Sequence, residues 1–301
     1  SSGPRSTKVK LFGAPSFLPD EFTNKGDFDV FVSGSINYTY DFQSEPKKLL
    51  EASLNIYGNE QFDQTFVNAR VVDANIGPKF AIPLDFLNKP IVRPFIAGDY
   101  LIVSEDESYY SHGAGFSADI RATEKLNFDL DARVMARENK DASILDGFRN
   151  RLTVNASYIA SNTMQIQLSS VVATEETKTN IQNNRDYSLN ATINKTFNAP
   201  FNLIKDPLSA GLSFGGSFRE YAGANPTIDP DTTRNDYTMR FSPSLTIPAG
   251  ETLAVLISAG FTRVDSNIPN SEYDNISLTT TTNVCESYNS EDEKKNCYQS
   301  Q

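Results

Sequence analysis

Residues 28–42 restrict the possible folds of this chain more than any other stretch. Phe28, Val30, Val32, Gly34, Ile36, Tyr38, Tyr40 and Phe42 take every second position, and Asp29, Phe31, Ser33, Ser35, Asn37, Thr39 and Asp41 lie between them. A period of two held over this length specifies an extended strand whose two sides meet opposite environments. Strands of soluble sandwiches run about 5–6 residues. This pattern lasts roughly twice as long, the length that crosses a bilayer at a tilt of about 45°. Its aromatic residues gather towards one end, where a membrane interface falls.

The same alternation returns along the chain. Leu50, Ala52, Leu54 and Ile56 face away from Glu51, Ser53 and Asn55. His112, Ala114, Phe116, Ala118 and Ile120 oppose Gly113, Gly115, Ser117, Asp119 and Arg121, and residues 123–125 then turn the chain into Leu126, Phe128, Leu130, Ala132, Val134 and Ala136. Further strands are predicted around residues 66–80, 92–103, 152–160, 164–172, 187–197, 208–218, 237–247, 253–261 and 275–284, with a weak first strand over 8–17. The total is about 14. That even number suits an all-β, antiparallel transmembrane β-barrel of the bacterial outer membrane, with both termini periplasmic. Alternate connections tell the same story: 138–149, 175–185, 222–234 and 265–273 are long and polar, whereas 123–125, 161–163 and 248–251 are tight. The connection 198–207 falls on the tight side but is long. The barrel is expected to occupy residues 1–284, and residues 285–301 form a polar tail.

Composition fits this reading. Only 39% of the 301 residues are hydrophobic, as expected where the lipid face is hidden in alternation and the lumen is polar. A net charge of −11 and the lack of a basic stripe argue against a nucleic-acid partner. Trp is absent, but 13 Tyr residues are enough for interfacial girdles. The chain opens Ser-Ser-Gly-Pro-Arg-Ser, which fits a mature exported chain or a piece of a longer one. In such a compartment Cys285 and Cys297 are expected to form a disulfide, the alternative being two thiols in a flexible tail. With one His and no third Cys, a zinc site is not expected, and neither is a cofactor.

The inward register collects charge: Arg93, Asp99, Asp119, Arg121, Asp129, Asp131, Arg133, Arg137, Arg219 and Arg240. Two readings stand open, a constriction that selects solutes or ion pairs that line and brace the interior. His112 is the single histidine, so any Ser-His chemistry must use it. Ser111 and Ser117 lie on the opposite face of its strand, and an interfacial role beside Tyr109 and Tyr110 is the simpler expectation. The chain is therefore read as a non-enzyme. The acidic residues Glu175, Glu176, Asp229 and Asp231 either bridge divalent cations to lipopolysaccharide phosphates or are simply solvated.

Three segments resemble a known family: Tyr-Tyr-Ser-His-Gly-Ala-Gly at 109–115, Pro-Thr-Ile-Asp-Pro-Asp-Thr-Thr-Arg at 226–234, and Arg-Val-Asp-Ser-Asn-Ile-Pro-Asn-Ser-Glu-Tyr-Asp-Asn at 263–275. They are similar to the C-terminal barrel of the surface lipoprotein assembly modifier family, in which a segment like 266–275 introduces the last strand. The resemblance implies a barrel of about 14 strands that helps move lipoproteins to the cell surface. Members carry a periplasmic TPR region that this sequence lacks, and here a polar tail follows the last strand. The function expected is transport or export across the outer membrane, among lipid, lipopolysaccharide and a periplasmic or surface protein partner. The alternative is a barrel that anchors partners at the envelope.

Overall fold

A computed structural model of the chain describes residues 2–4, 8–11, 14–17, 29–44, 48–61, 68–84, 88–103, 107–140, 142–199, 206–249 and 253–284. Thirteen long strands carry the architecture: β4 (Asp29–Asp41), β5 (Lys48–Gln61), β6 (Ala69–Ala81), β7 (Ile91–Val103), β8 (Glu107–Arg121), β9 (Leu126–Asn139), β10 (Gly147–Ser161), β11 (Met164–Thr177), β12 (Asn184–Phe197), β13 (Leu208–Tyr221), β14 (Asn235–Pro248), β15 (Leu253–Ser266) and β16 (Tyr273–Val284). Each pairs antiparallel with its neighbours in the chain, and a short β1 (Ser2–Pro4) adds to the free side of β16, making a sheet of 14 strands in one meander. The long strands have 12 to 15 residues. At about 3.4 Å per residue such a strand is roughly 45 Å long, and a tilt of ~45° leaves roughly 30 Å along the normal, a bilayer's hydrocarbon thickness.

Residues 8–17 do not supply a barrel strand. They split into β2 (Lys8–Leu11) and β3 (Ala14–Phe17), a hairpin in a separate two-stranded sheet. The alternation there is four residues long, and Pro15 removes a ladder donor. Thirteen strands are of membrane-crossing length, one fewer than expected, and the three-residue β1 brings the sheet to 14 members. Because β4 and β16 are separated by eleven alternating strands, they run in the same direction, and an antiparallel cylinder needs a strand of opposite direction between them. β1, antiparallel to β16 through Ser2↔Asn275 and Pro4↔Tyr273, has that direction.

The register preserves one apolar face across the sheet. Ile76 pairs with Ile96 and Ile96 with Ala114, and on the far strands Phe214 pairs with Phe241 and Phe241 with Phe261. These outward side chains are open to the surroundings: Ile96 is 65% exposed, Val134 56%, Leu189 53% and Phe214 53%. An exposed apolar band spanning every long strand far exceeds what a water-soluble monomer presents, and it is the surface a lipid-facing barrel requires. The other face is concave. Arg133 Nη1 on β9 lies 3.6 Å from Asp73 Oδ2 on β6, although three strand spacings on a flat sheet come to roughly 14 Å.

Strand pairing continues beyond the apolar band, so several connections are shorter than the sequence suggests: 178–183 and 267–272 join strands where longer polar loops were expected. Pairing such as Arg149↔Glu175 extends the ladder through charged residues because the inward face there is wet on either reading. The difference in loop length between the two ends is accordingly weak, with 222–234 long at one end and 198–207 long at the other. Cys285 and Cys297 lie outside the described residues.

Candidate functional site on the inner face

Phe95 of β7 organises the inner wall from β5 to β9. It is 4% exposed and lies flat against the wall because Gly115, opposite it on β8, has no side chain: a Cβ there would stand 2.3 Å from Phe95 Cζ. Guanidinium carbons of Arg93 and Arg133 sit 5.0 and 5.2 Å from the ring centroid, an arrangement that holds two cations on one aromatic surface. Carboxylates and an amide complete the cluster. Arg93 donates to Asn75 Oδ1, and its Nε is 3.4 Å from Glu51 Oε1; Lys79 Nζ donates to Glu51 Oε2 at 2.9 Å. Arg133 Nε donates to Asp131 Oδ1 at 2.8 Å. Asp73 also accepts from Asn55 Nδ2 at 3.1 Å.

The remaining inward charges fall into separate groups. Arg137 bonds to Glu175 and places its guanidinium 5.1 Å from the Tyr109 ring centroid. Arg219 reaches Asp186 Oδ2 at 2.5 Å, and Ser111 Oγ donates to Asp99 Oδ2 at 3.0 Å. Arg240 faces Gly215 and Thr262 across its two ladders. Nearer the other end, Asp119 stands directly opposite Asp129. Asp119 and Arg121 line a cavity of about 580 Å³, together with Lys89, Glu124, Lys125 and Asn127. The structure thus joins Arg93, Asp131 and Arg133 in one network and distributes the others along the lumen.

Glu51, Asp73, Lys79, Phe95, Arg149, Arg151 and Asp186 belong to this face and are not among the lumen charges read from the sequence; Glu175, expected in an outer loop, belongs to it too, on β11. Parity would have found them, since each sits an even number of residues from an inward residue already identified on its own strand or its register partner. In the sequence Arg149 belongs to the connection 138–149, because the apolar alternation of β10 starts only at Leu152. His112 faces outward, stacked beside Tyr110 with ring centroids 6.3 Å apart, between Gly98 and Ala136 in register. Ser111 and its partner Asp99 are on the opposite face.

Of the acidic residues, Glu175 and Glu176 lie within β11 and Asp229 bonds inside its own loop. Asp229 Oδ1 accepts the Asp231 amide at 3.2 Å, and Arg234 pairs with Asp236 at 2.6 Å beneath the Tyr221 ring. The 263–275 segment is built as a fixed corner: Ile268 is 1% exposed, and Asn267 bridges to the Asn235 amide and the Thr233 carbonyl at 2.8 Å each. Between β9 and β10, the Asn139 amide donates to Asp146 Oδ1 and Lys178 Nζ to Oδ2, both at 2.8 Å. The Asn139 bond first, then Lys178, holds the Asp146 carboxyl below the usual carboxylate range. A depressed carboxyl stabilises its surroundings above its unfolded value and loses that contribution as pH falls through the folded one. In an acid titration followed by NMR, the Asn139 amide proton should therefore shift with a midpoint below that of Asp146 in the denatured chain. A midpoint at or above the denatured value would remove the loop contact from the account.

No family model matches the chain, and no curated protein matches it. Among solved structures it is similar to a bacterial polysaccharide outer membrane secretin, at 7% identity over 85% of this chain and 97% of the other, with a TM-score of 0.39. It is similar also to a loop-deleted OmpT, an outer membrane protein of Vibrio cholerae, at 9% identity over 86% and 99%, with a TM-score of 0.37. A third likeness is to OccD3 of Pseudomonas aeruginosa, at 8% identity over 93% and 95%, with a TM-score of 0.22.

Proposed function

We propose that this chain is a bacterial outer-membrane transport barrel that passes solutes through a hydrated, charged lumen. The observation that carries this reading is the sustained inner face: charged, amide and hydroxyl side chains opposite an apolar face on every long strand, held by bonds such as Arg133–Asp131 and Arg219–Asp186. The tight turns at 122–125 and 162–163 belong to the periplasmic end on this reading, which puts the end of β16 there too and the corner around Ile268 at the cell surface. Outer-membrane lipid and lipopolysaccharide surround the apolar band.

The expected result in planar bilayers is steady unit currents. Arg133→Ala and Arg137→Ala should each change unit conductance and move ion preference towards cations, because each removes an inward positive charge. Silence of the native protein, when it is folded and inserted, would favour the anchoring alternative. Within the transport class, the resemblance of residues 263–275 to the surface lipoprotein assembly modifier family supports lipoprotein export, and the built corner around Ile268 offers a fixed surface for a protein partner. His112 enters neither route. Its alanine variant should transport like the native chain.

A further inference from the structure

We infer that Arg149 and Arg151 form a binding site for small polyanions, solutes bearing phosphate or clustered carboxylate groups, on the lumen wall of β10. Both residues occupy the inward parity of that strand, since Phe148 and Leu152 on the alternate positions are 57% and 42% exposed on the apolar face. Residues two apart on a strand project from the same face about 7 Å apart, a spacing that lets two guanidinium groups grip one polyanion.

What sets this pair apart is that two guanidinium groups without an ion pair stand together; Arg121 and Arg240 also lack one among the described residues, but each is the single cation of its strand. Arg93 lies beside Glu51, Arg133 beside Asp131 and Asp73, Arg137 beside Glu175, and Arg219 beside Asp186. Among the described residues no carboxylate comes within ion-pair distance of Arg149 or Arg151; Arg151 Nε donates only to Thr153 Oγ1, at 3.3 Å. The nearest acidic group in register does not help. Glu175 stands opposite Arg149 but is bound by Arg137. On the other ladder Arg151 stands directly opposite Arg133, and like charges opposed across a pair of strands are destabilising. The wall therefore carries a local excess of positive charge that the protein leaves unneutralised, in a geometry suited to bidentate recognition of oxyanions. The opposed acids Asp119 and Asp129 lie elsewhere on the axis, Asp129 being four residues along β9 from Arg133, or roughly 13 Å. The lumen wall is thus locally positive at the level of Arg149 and Arg151. This inference rests on the pore reading for its biological meaning, but the site is testable without it.

The experiment uses the folded full chain in detergent micelles for calorimetric titration with inorganic pyrophosphate, and in planar bilayers for reversal potentials in a potassium chloride gradient. Both are run at low ionic strength, where screening is weakest. The native protein should bind pyrophosphate, and the double variant Arg149→Gln/Arg151→Gln should bind it at least about tenfold more weakly, the loss of two charge-assisted contacts. The double variant should also lower the chloride-to-potassium permeability ratio. Arg149→Lys/Arg151→Lys keeps the charge but not the planar fork, so it should hold the permeability ratio while losing part of the pyrophosphate affinity. Failure of native protein to bind pyrophosphate, or equal binding by the heat-modifiable, folded Gln variant, overturns the site even if the protein conducts. Binding that depends on the pair in a protein that never conducts upholds the site and removes the pore reading instead.

Discussion

Replacing Gly115 by valine is expected to cost the folded barrel about 2–3 kcal/mol, the upper part of the range of roughly 1–3 kcal/mol for forcing extra carbon into a packed position. A Cβ at Gly115 would meet Phe95 at 2.3 Å and the Ala132 carbonyl oxygen at 2.8 Å. The second contact is with backbone, so a rotamer change of Phe95 relieves only half of the clash. The ring would have to leave the wall, and the guanidinium groups of Arg93 and Arg133 would lose the surface they share. Gly34→Val is the matched control, because nothing stands within 4 Å of its Cβ position and a β-branched residue suits a strand. Urea unfolding of both variants in lipid vesicles, read by the heat-dependent mobility shift on gels, gives the comparison. Equal stability would mean that the Gly115 cradle does not position Phe95. An expelled Phe95 also enters the lumen, so any conductance should fall with the same substitution.

The faces of the strands were legible because a period of two needs no long-range information. Leu126, Phe128 and Leu130 against Asn127, Asp129 and Asp131 fix inside and outside whatever the neighbouring strand does. Which inward residues meet is a different matter. The Arg93–Glu51 contact joins strands β7 and β5, and Arg133–Asp73 joins β9 and β6; both depend on register and curvature, set by the connections between strands and by the twist of the sheet. Strand ends are harder to read from sequence for a related reason. Arg149 reads as loop because charge on the wet face looks the same as charge beyond the membrane, and only the ladder Gly147↔Arg137 to Tyr158↔Leu126 distinguishes them. The segment 8–17 shows the opposite error, in which four alternating residues imitated a strand that a proline keeps out of the barrel.

Leu189→Arg should be the most damaging outward substitution on β12, costing about 2–4 kcal/mol of folding free energy in a bilayer, as expected for arginine facing lipid at the midplane. Leu189 lies near the middle of Asn184–Phe197, is 53% exposed, and pairs with Ser170 and Gly216. Two companion variants separate face from depth. Ser188→Arg places the same side chain one residue away on the inward face, between Val171 and Ser217 in register, where water solvates it; its cost should be near zero. Phe197→Arg keeps the outward face but moves to the end of the strand, where the cost falls to about 0–1 kcal/mol because the guanidinium reaches the interface. Urea titrations in vesicles of one lipid then give three numbers with a required order: Leu189 largest, Phe197 smaller, Ser188 smallest. A soluble sheet protein would behave otherwise, since an arginine at a half-exposed outward position would improve its solubility in water. Equal costs at 188 and 189 would contradict the assignment of faces. Equal costs at 189 and 197 would contradict the depth, because no bilayer presents the same dielectric at its centre and its edge.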